Sequence, residues 1–566
     1  MTGTTSDRVP ILRRLLWPAA ILLLTLCAYL PALRAGYIWD DDFHVTENHL
    51  LRSTDGLLLM WFDPYALPQY YPMTHTTFWV EYQLWRLRPL GYHLDNVLLH
   101  AANAVLLGLL LGCLRLRAAW WVAAVFAVHP VHAESVAWVS ERKNVLSGLF
   151  YLLAFHSYER FQAPRDEAAT APWRWYALSL VLFAAALFSK TVTATLPGAL
   201  LLVTWWKRGR VGWKDVALTL PYFVGGMVMA AVTAHVEHVK LTGGEPEFDL
   251  SLVERLLIAG RAAWFYAGKL LWPVDLAFIY RRWIIDARQL WQFAFPFAAG
   301  ALILLAWLGR HRLGRGPLVA ILFFGGTLSP ALGFVNVWPM RFSFVADHFQ
   351  YLASIGILAL AVEGVAHAAS HARVRTAAFA SVVALLGVAT FNRSFAFRSA
   401  ERIWHDTLAK NPTSWLAHVH LAGIAQARGD ASLASHHYEQ TLRLRPRAST
   451  HVNYGIMLMA AGRNDEAREQ LLAALRMDPS HAVGHNAMGV LWTKTQNWTE
   501  AAAEFAAAAN ADPNFADARN NLGMVMERLN RPAEARDHYL DALRANPHHA
   551  GAAANLARLA AQQRGG

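Results

Sequence analysis

Between residues 15 and 391 the chain alternates apolar runs of roughly 20 residues with short loops rich in arginine and lysine. A run of that length matches the hydrocarbon thickness of a bilayer. In lipid its backbone polar groups must bond within the segment, so each run is expected to be a helix. The eleven expected spans are 15–33, 93–114, 118–132, 145–158, 175–189, 192–206, 216–234, 293–308, 317–337, 351–369 and 376–391. A signal peptide would have a shorter first run and no spans after it.

Basic residues set the orientation of such a chain. Arg8, Arg13 and Arg14 precede the first run. Later basic loops hold Arg115 and Arg117; Arg160, Arg165 and Arg174; Lys207 to Arg210; Arg310 and Arg312; and Arg373 and Arg375. Every inner loop so placed carries Arg or Lys, the intervening loops such as the polar one at Thr242 to Glu245 face out, and the N-terminus lies inside and the C-terminus outside. The segment 256–280 is apolar but interrupted by Arg261, Lys269 and Asp275, so it reads as interfacial or re-entrant. A second interfacial helix is expected over 78–87.

After Phe391 the pattern changes. Pro412, Pro446, Pro479, Pro513 and Pro547 recur at intervals of 34, 33, 34 and 34 residues. Ala422, Gly455, Gly489 and Gly523 keep the same phase, as do Ala434, Ala467, Ala501 and Ala535. Large apolar residues follow at Tyr438, Leu471, Phe505 and Tyr539. Small residues where paired helices touch and a proline after the second helix are the marks of the tetratricopeptide repeat. Ala400, Trp404 and Pro412 fit half of a preceding repeat, and 550–561 reads as a capping helix. The expected fold is therefore all-α: a polytopic membrane domain over 1–395, then a soluble repeat solenoid over 396–566.

Composition decides two further points. Charged residues are 16% and hydrophobic ones 55%, where a soluble chain carries about 25% charge. The net charge of +11 is distributed among the short loops, which positive-inside topology explains without a nucleic-acid partner. Cys27 and Cys113 both lie in apolar runs, so neither a disulfide nor a thiolate metal site follows.

The first outer loop opens on Asp40, Asp41 and Asp42. Three adjacent carboxylates repel one another and are costly to desolvate beside lipid. Such a triplet is either a solvated acidic edge or a cluster with work to do, accepting a proton or facing cations. The same outer side holds His75, His129, His132, Glu134, Arg142, Lys143, Lys190, Arg341, Asp347 and His348. Acids and bases converging there suit a reaction in which a carboxylate takes a proton while cations hold a phosphate. Each residue has a structural alternative. Arg142 and Lys143 could snorkel, Lys190 could be purely structural, and His129, His132 and Glu134 could be hydrogen-bonded interfacial groups or a metal site. No phosphate-cradling glycine loop, nucleophile elbow or zincin motif occurs, nor the internal repeat of broken helices seen in transporters.

Five stretches carry a family resemblance: Trp39-Asp-Asp-Asp-Phe-His-Val-Thr-Glu-Asn48, Pro72-Met-Thr-His75, Gly91-Tyr-His-Leu-Asp-Asn-Val-Leu-Leu-His100, Phe126-Ala-Val-His-Pro-Val-His-Ala-Glu-Ser-Val-Ala-Trp138 and Phe188-Ser-Lys190. With the repeats, they make the chain resemble the transmembrane O-mannosyltransferases bearing tetratricopeptide repeats, and their bacterial relatives, in the GT-C glycosyltransferase superfamily. The resemblance implies transfer of a hexose such as mannose from a polyprenyl-phosphate donor to Ser or Thr of outer-compartment proteins, with inversion. Counting back from Asn48 places the family's acidic pair at Asp41 and Asp42, with Asp41 the expected base and Asp40 an additional acid. Arg142, Lys143, Lys190 and Arg341 would hold the donor phosphate, and the repeats would bind the acceptor. The family often has Glu after Ser-Lys, whereas Thr191 stands here. A divalent ion stays an open option. The expected location is a bacterial inner membrane with the repeats extracytoplasmic. A membrane-anchored repeat scaffold for envelope proteins is the alternative.

Overall fold

A computed structural model describes residues 11–163, 173–242, 248–368 and 371–565. Arg8, Arg165 and the loop at 243–245 lie outside the described residues. The regular structure is helical, with no strand among the described residues. The chain forms two compact units, Met1–Asn411 and Pro412–Gly566.

Four helices of the first unit are long and apolar enough to cross a membrane: Pro89–Cys113, Trp213–Lys240, Leu290–Gly309 and Ala372–Arg398. Four shorter apolar helices, Leu15–Ala28, Trp173–Ser189, Gly316–Ala331 and Ser354–Ala368, fall on other expected spans. The remaining three expected spans are reshaped by their own residues. The run 118–132 breaks after nine residues, at Ala119–Ala127, because Pro130 has no N–H to continue the helix. The run 192–206 is a one-turn segment followed by the short helix Leu196–Arg208, with Pro197 in its first turn. The run 145–158 lies inside Arg142–Gln162, whose first half is buried in protein rather than exposed at a lipid-facing surface. Among the described residues, four of the eleven expected spans are thus single helices long and apolar enough to cross a membrane. The segment expected to be interfacial or re-entrant contains a helix, Leu252–Leu271, and then irregular chain to Tyr280.

Buried polar groups join the apolar helices. Asn103 donates to Val145 O (2.7 Å) and to Tyr351 Oη (2.9 Å), while His100 Nδ1 lies 2.8 Å from the same hydroxyl. Gly148 lets this ring approach, since a Cβ there would lie 2.9 Å from Tyr351. The knot ties Pro89–Cys113, Arg142–Gln162 and the chain leading into Ser354–Ala368. Hydrogen bonds of this kind strengthen where water is absent. Helix Ala400–Lys410, which the repeat register extends back to, belongs to this first unit. Its Trp404 is buried against Trp39 and Phe278, and Lys410 donates to Leu276 O (2.7 Å).

The second unit consists of paired helices from Trp415–Ala427 through Pro532–Ala545, followed by Ala550–Gly565. Ala422, Ala434, Ala467, Ala501 and Ala535 are fully buried at the register positions. Gly429 and Gly462 turn between paired helices at φ +77°, and Gln496 and Asn530 hold the equivalent left-handed positions in the later pairs. Gly489 faces Phe505 so closely that a Cβ would lie 2.7 Å from two ring carbons. Gly489→Ala should therefore destabilise this unit by about 1–3 kcal/mol through overpacking. A lower melting temperature, with hydrogen exchange accelerated first in the Ala482–Lys494 and Trp498–Ala511 pair, would show it.

Candidate active site

The acidic triplet diverges because of the residue before it. Trp39 adopts φ +43°, a left-handed conformation that bulky side chains rarely take. Its indole stacks on Trp138, with centroids 5.5 Å apart and planes at 12°, and meets Phe278 and Phe342 edge-on. Directly after it the backbone winds into a single wide turn, Asp42–Thr46. The three carboxylates consequently point three ways.

Asp40 reaches the wall of a cavity of about 340 Å³. Asp41 turns inward and is wholly buried, with Oδ1 accepting from Ser140 N–H (2.7 Å) and Oδ2 from Ile38 N–H (2.9 Å). Asp42 is exposed, and its Oδ1 accepts from the Thr46 hydroxyl at 2.8 Å. Burial pushes the Asp40 carboxyl up to about 6, with Lys143 opposing and Glu141 adding to the rise. Burial lifts Asp41 to about 7 against the two amides that favour its charged form. Of the three, Asp40 is the carboxylate that lines the cavity, whereas Asp41, to which the register counted from Asn48 points, is enclosed.

The same cavity holds a cationic group organised by Glu141. This glutamate is buried at the start of Arg142–Gln162, with Oε1 2.9 Å from Lys143 Nζ and Oε2 3.4 Å from Lys190 Nζ. Asn144 Oδ1 accepts from Lys190 Nζ (2.8 Å), and its amide donates to Glu141, Ser135 Oγ and His348 O. His348 Nδ1 lies 2.7 Å from Glu134 Oε1. Burial alone would raise Glu141, but His348, Lys143 and Lys190 hold it far below the usual carboxylate range. Burial lowers Lys190 to about 8, whereas Glu141 and Asp40 outweigh burial at Lys143 and raise it. Glu134, Glu141, Lys143, Lys190 and His348 all line the cavity, as does Glu237, to which Gln69 donates at 3.1 Å. Trp39, Trp138, Phe278, Trp338 and Phe349 form its aromatic walls.

A histidine pair stands beside Asp40. His75 Nδ1 is 3.0 Å from Tyr71 O, which can only accept, so in the neutral ring Nε2 is the acceptor. His44 Nδ1, 3.1 Å from that nitrogen, must then be the donor, leaving His44 Nε2 as a base on a residue that lines the cavity. Both rings are buried and kept neutral by burial, His75 falling to about 4.

The other residues singled out in the sequence lie elsewhere. Arg142 is buried away from the cavity, 2.6 Å from Glu81, donating to Tyr92 O (2.8 Å) and to Asn96, with Phe78 under its guanidinium. Arg341, which does not line the cavity, places its guanidinium over the Trp338 ring, 4.7 Å from the centroid. Asp347 accepts from Tyr280 Oη at 2.8 Å, and burial raises it to about 7. His129 Nε2 reaches Leu270 O (3.0 Å), and His132 spans Phe126 O (2.9 Å) and Ser354 Oγ (3.1 Å), so both rings fasten the fold. Thr191 meets Thr233 at 2.6 Å. No three His, Cys, Asp or Glu among the described residues are grouped to hold a metal. Sequence reading missed Glu141, although it sits in Ser140-Glu-Arg-Lys143, where a tight turn puts residues 141 and 143 on one side. It also missed His44 and Trp39, which no spacing marks.

The tetratricopeptide repeat family model matches residues 421–482 and 493–550. Human protein O-mannosyl-transferase TMTC4 is 26% identical over 467 residues, covering 71% of this chain and 63% of the relative. Human protein O-mannosyl-transferase TMTC3 is 32% identical over 188 residues, 31% of this chain and 20% of that protein. Its relatives are protein O-mannosyl-transferases. Drosophila melanogaster protein O-mannosyl-transferase Tmtc1 matches similarly, at 32% over 178 residues and 20% of its length. The chain thus spans 63% of one of these O-mannosyl-transferases and a fifth of the other two. Among solved structures, MamA superposes with a TM-score of 0.24 at 17% identity, over 26% of this chain and 87% of that one.

Proposed function

We propose that the chain transfers a hexose such as mannose from a polyprenyl-phosphate carrier to Ser or Thr of an acceptor protein, inverting the anomeric carbon. One observation carries this reading: Asp40, Lys143 and Lys190 line a single aromatic-walled cavity. The O-mannosyl-transferase relatives supply the sugar and the acceptor class. In the proposed step, Asp40 takes the proton of the acceptor hydroxyl as its oxygen attacks C1. The bond from C1 to the phosphate oxygen breaks, and the phosphate leaves toward Lys143 and Lys190. Glu141 spaces the two ammonium groups, and the flat aromatic walls suit a sugar ring and the first isoprene units. The site would open extracytoplasmically at a bacterial inner membrane, from a body that crosses it with the N-terminus inside. The repeat unit, a protein-binding architecture, would hold the acceptor.

The test uses the purified chain, synthetic polyprenyl-phosphate mannose and a Ser/Thr peptide. NMR of the product should show the anomeric configuration opposite to the donor's. The pH profile of kcat/KM should be bell-shaped. Asp40 must lose its proton to act as base, so the rate rises through about pH 6. Lys190 must keep its proton to meet the phosphate, so the rate falls through about pH 8. A folded, donor-binding protein that transfers sugar to neither peptide nor water would leave the scaffold reading in its place.

A further inference from the structure

The first unit contains a second, larger cavity of about 680 Å³ that the proposed reaction does not use. It lies at the opposite end of the same helices. On Pro89–Cys113, Asn96 bonds Trp138 O at the acidic cavity, while Leu107, Leu110 and Leu111 line the second one. Asn96 and Leu111 are about 22 Å apart along a helix axis. Ser354–Ala368 runs along the second cavity, lining it from Ile355 and Gly356 through Leu360 to Glu363 and His367.

The interior of this cavity is aliphatic and aromatic, with Leu111, Leu152, Phe155, Val203, Phe323 and Leu360 among its walls. Its mouth is cationic. Arg115, Arg117 and Arg315 line it together with His367. Arg115 and Arg117 are exposed, and among the described residues no carboxylate pairs with either. The acid at the rim, Glu363, is engaged by Ala118 N–H at 2.6 Å and approached by His367. Arg115 follows the end of Pro89–Cys113 at φ +64°, a position where glycine would be unstrained, so an arginine is held here at a backbone cost. Arg315 lies against Gly209, whose missing side chain leaves room for the guanidinium, and faces the Trp205 ring at 5.7 Å.

An apolar chamber with three guanidiniums at its mouth is complementary to a molecule with a hydrocarbon tail and a phosphate head. A basic pocket between membrane helices is where anionic headgroups bind, and the volume falls within the usual range for a small-molecule site. From this geometry we infer that the cavity binds an anionic glycerophospholipid, one acyl chain inside and its phosphate among Arg115, Arg117 and Arg315. The polyprenyl donor is a different occupant, because its phosphate is wanted at Lys143 and Lys190 at the other end of the unit. The lipid would seal the seam between Pro89–Cys113, Arg142–Gln162 and Ser354–Ala368.

The test is lipid titration of the delipidated full chain in detergent, followed by native mass spectrometry and melting temperature. Phosphatidylglycerol should be retained at one per chain and raise the melting temperature, as any ligand selective for the folded state does. Phosphatidylcholine with the same acyl chains should do neither. Arg115→Gln/Arg117→Gln changes two exposed side chains and should fold normally while weakening phosphatidylglycerol binding by about tenfold per guanidinium lost. Ala320→Phe, which fills the chamber and leaves the rim intact, should also abolish retention. Equal binding of the two phospholipids, or phosphatidylglycerol binding unchanged in the double variant, would overturn the inference. So would preferential retention of polyprenyl phosphate, or an equal stabilisation by inorganic phosphate. None of these results depends on sugar transfer, so the lipid site and the proposed reaction can fail independently.

Discussion

Asp40→Asn lowers sugar transfer by about 10²–10⁴, the usual contribution of a general base, and leaves a folded protein that still binds donor. The expectation follows from where each carboxylate of the triplet points. Asp40 lines the cavity, within the field of Lys143 and His348, and its carboxyl titrates near 6. Asn keeps its shape and its hydrogen-bonding edge but cannot take a proton. Asp41→Asn should fail differently. Its carboxylate is completely buried and accepts from Ile38 and Ser140 with separate oxygens. An amide presents one oxygen and one NH₂, so one backbone donor meets another donor, at a cost of about 1–3 kcal/mol. The result should be less folded protein and a lower melting temperature, with the residual folded fraction active per molecule. Asp42→Asn, exposed and bonded only to its own turn, should be nearly silent. Single-turnover rates normalised to donor-competent protein separate these cases. A well-folded but inactive Asp41→Asn beside a fully active Asp40→Asn would return the base to Asp41.

This ranking inverts the one read from sequence, and the reason is local. Spacing from Asn48 identifies which acids belong to the motif, but not the direction of side chains in a turn of irregular pitch. The left-handed Trp39 and the wide turn after it rotate neighbouring carboxylates onto different surfaces, and no periodicity records either feature. The same limit applies to Arg142 and Lys143. They are adjacent in sequence, yet the first turn of their helix sends one toward Glu81 and the other toward Glu141. In the repeats, by contrast, each residue's environment is set by neighbours within one unit, so Ala467, Ala501 and Ala535 are buried where their register puts them. Hydropathy locates the apolar helices but not their lengths, because Pro130 and buried polar residues end or divert runs whose composition alone would continue.

Arg142→Met should cost the first unit about 3–5 kcal/mol, the range for breaking a buried ion pair by removing one partner. The side chain is about as buried as any in the protein and serves four groups at once: Glu81, Asn96, Tyr92 O and the Phe78 face. Burial lifts Glu81 to about 8 even with the guanidinium beside it. Without Arg142 that carboxyl would stay protonated to still higher pH, so much of the loss comes from stranding Asn96 Oδ1 as an unsatisfied buried acceptor. Arg142→Lys should rescue little, since one ammonium cannot span partners that a planar fork reaches together. Arg142→Met with Glu81→Leu should recover part of the stability by replacing the pair with apolar volume. Lys190→Met provides the contrast: it should stay folded and lose donor affinity, because its partners Glu141 and Asn144 keep Lys143 and His348 around them. Melting temperature and the yield of monodisperse protein report the first effect, and donor titration the second. If Arg142→Met melts like the parent yet no longer binds polyprenyl-phosphate mannose, Arg142 belongs with Lys143 and Lys190 at the phosphate, and the cavity described here extends to it on binding.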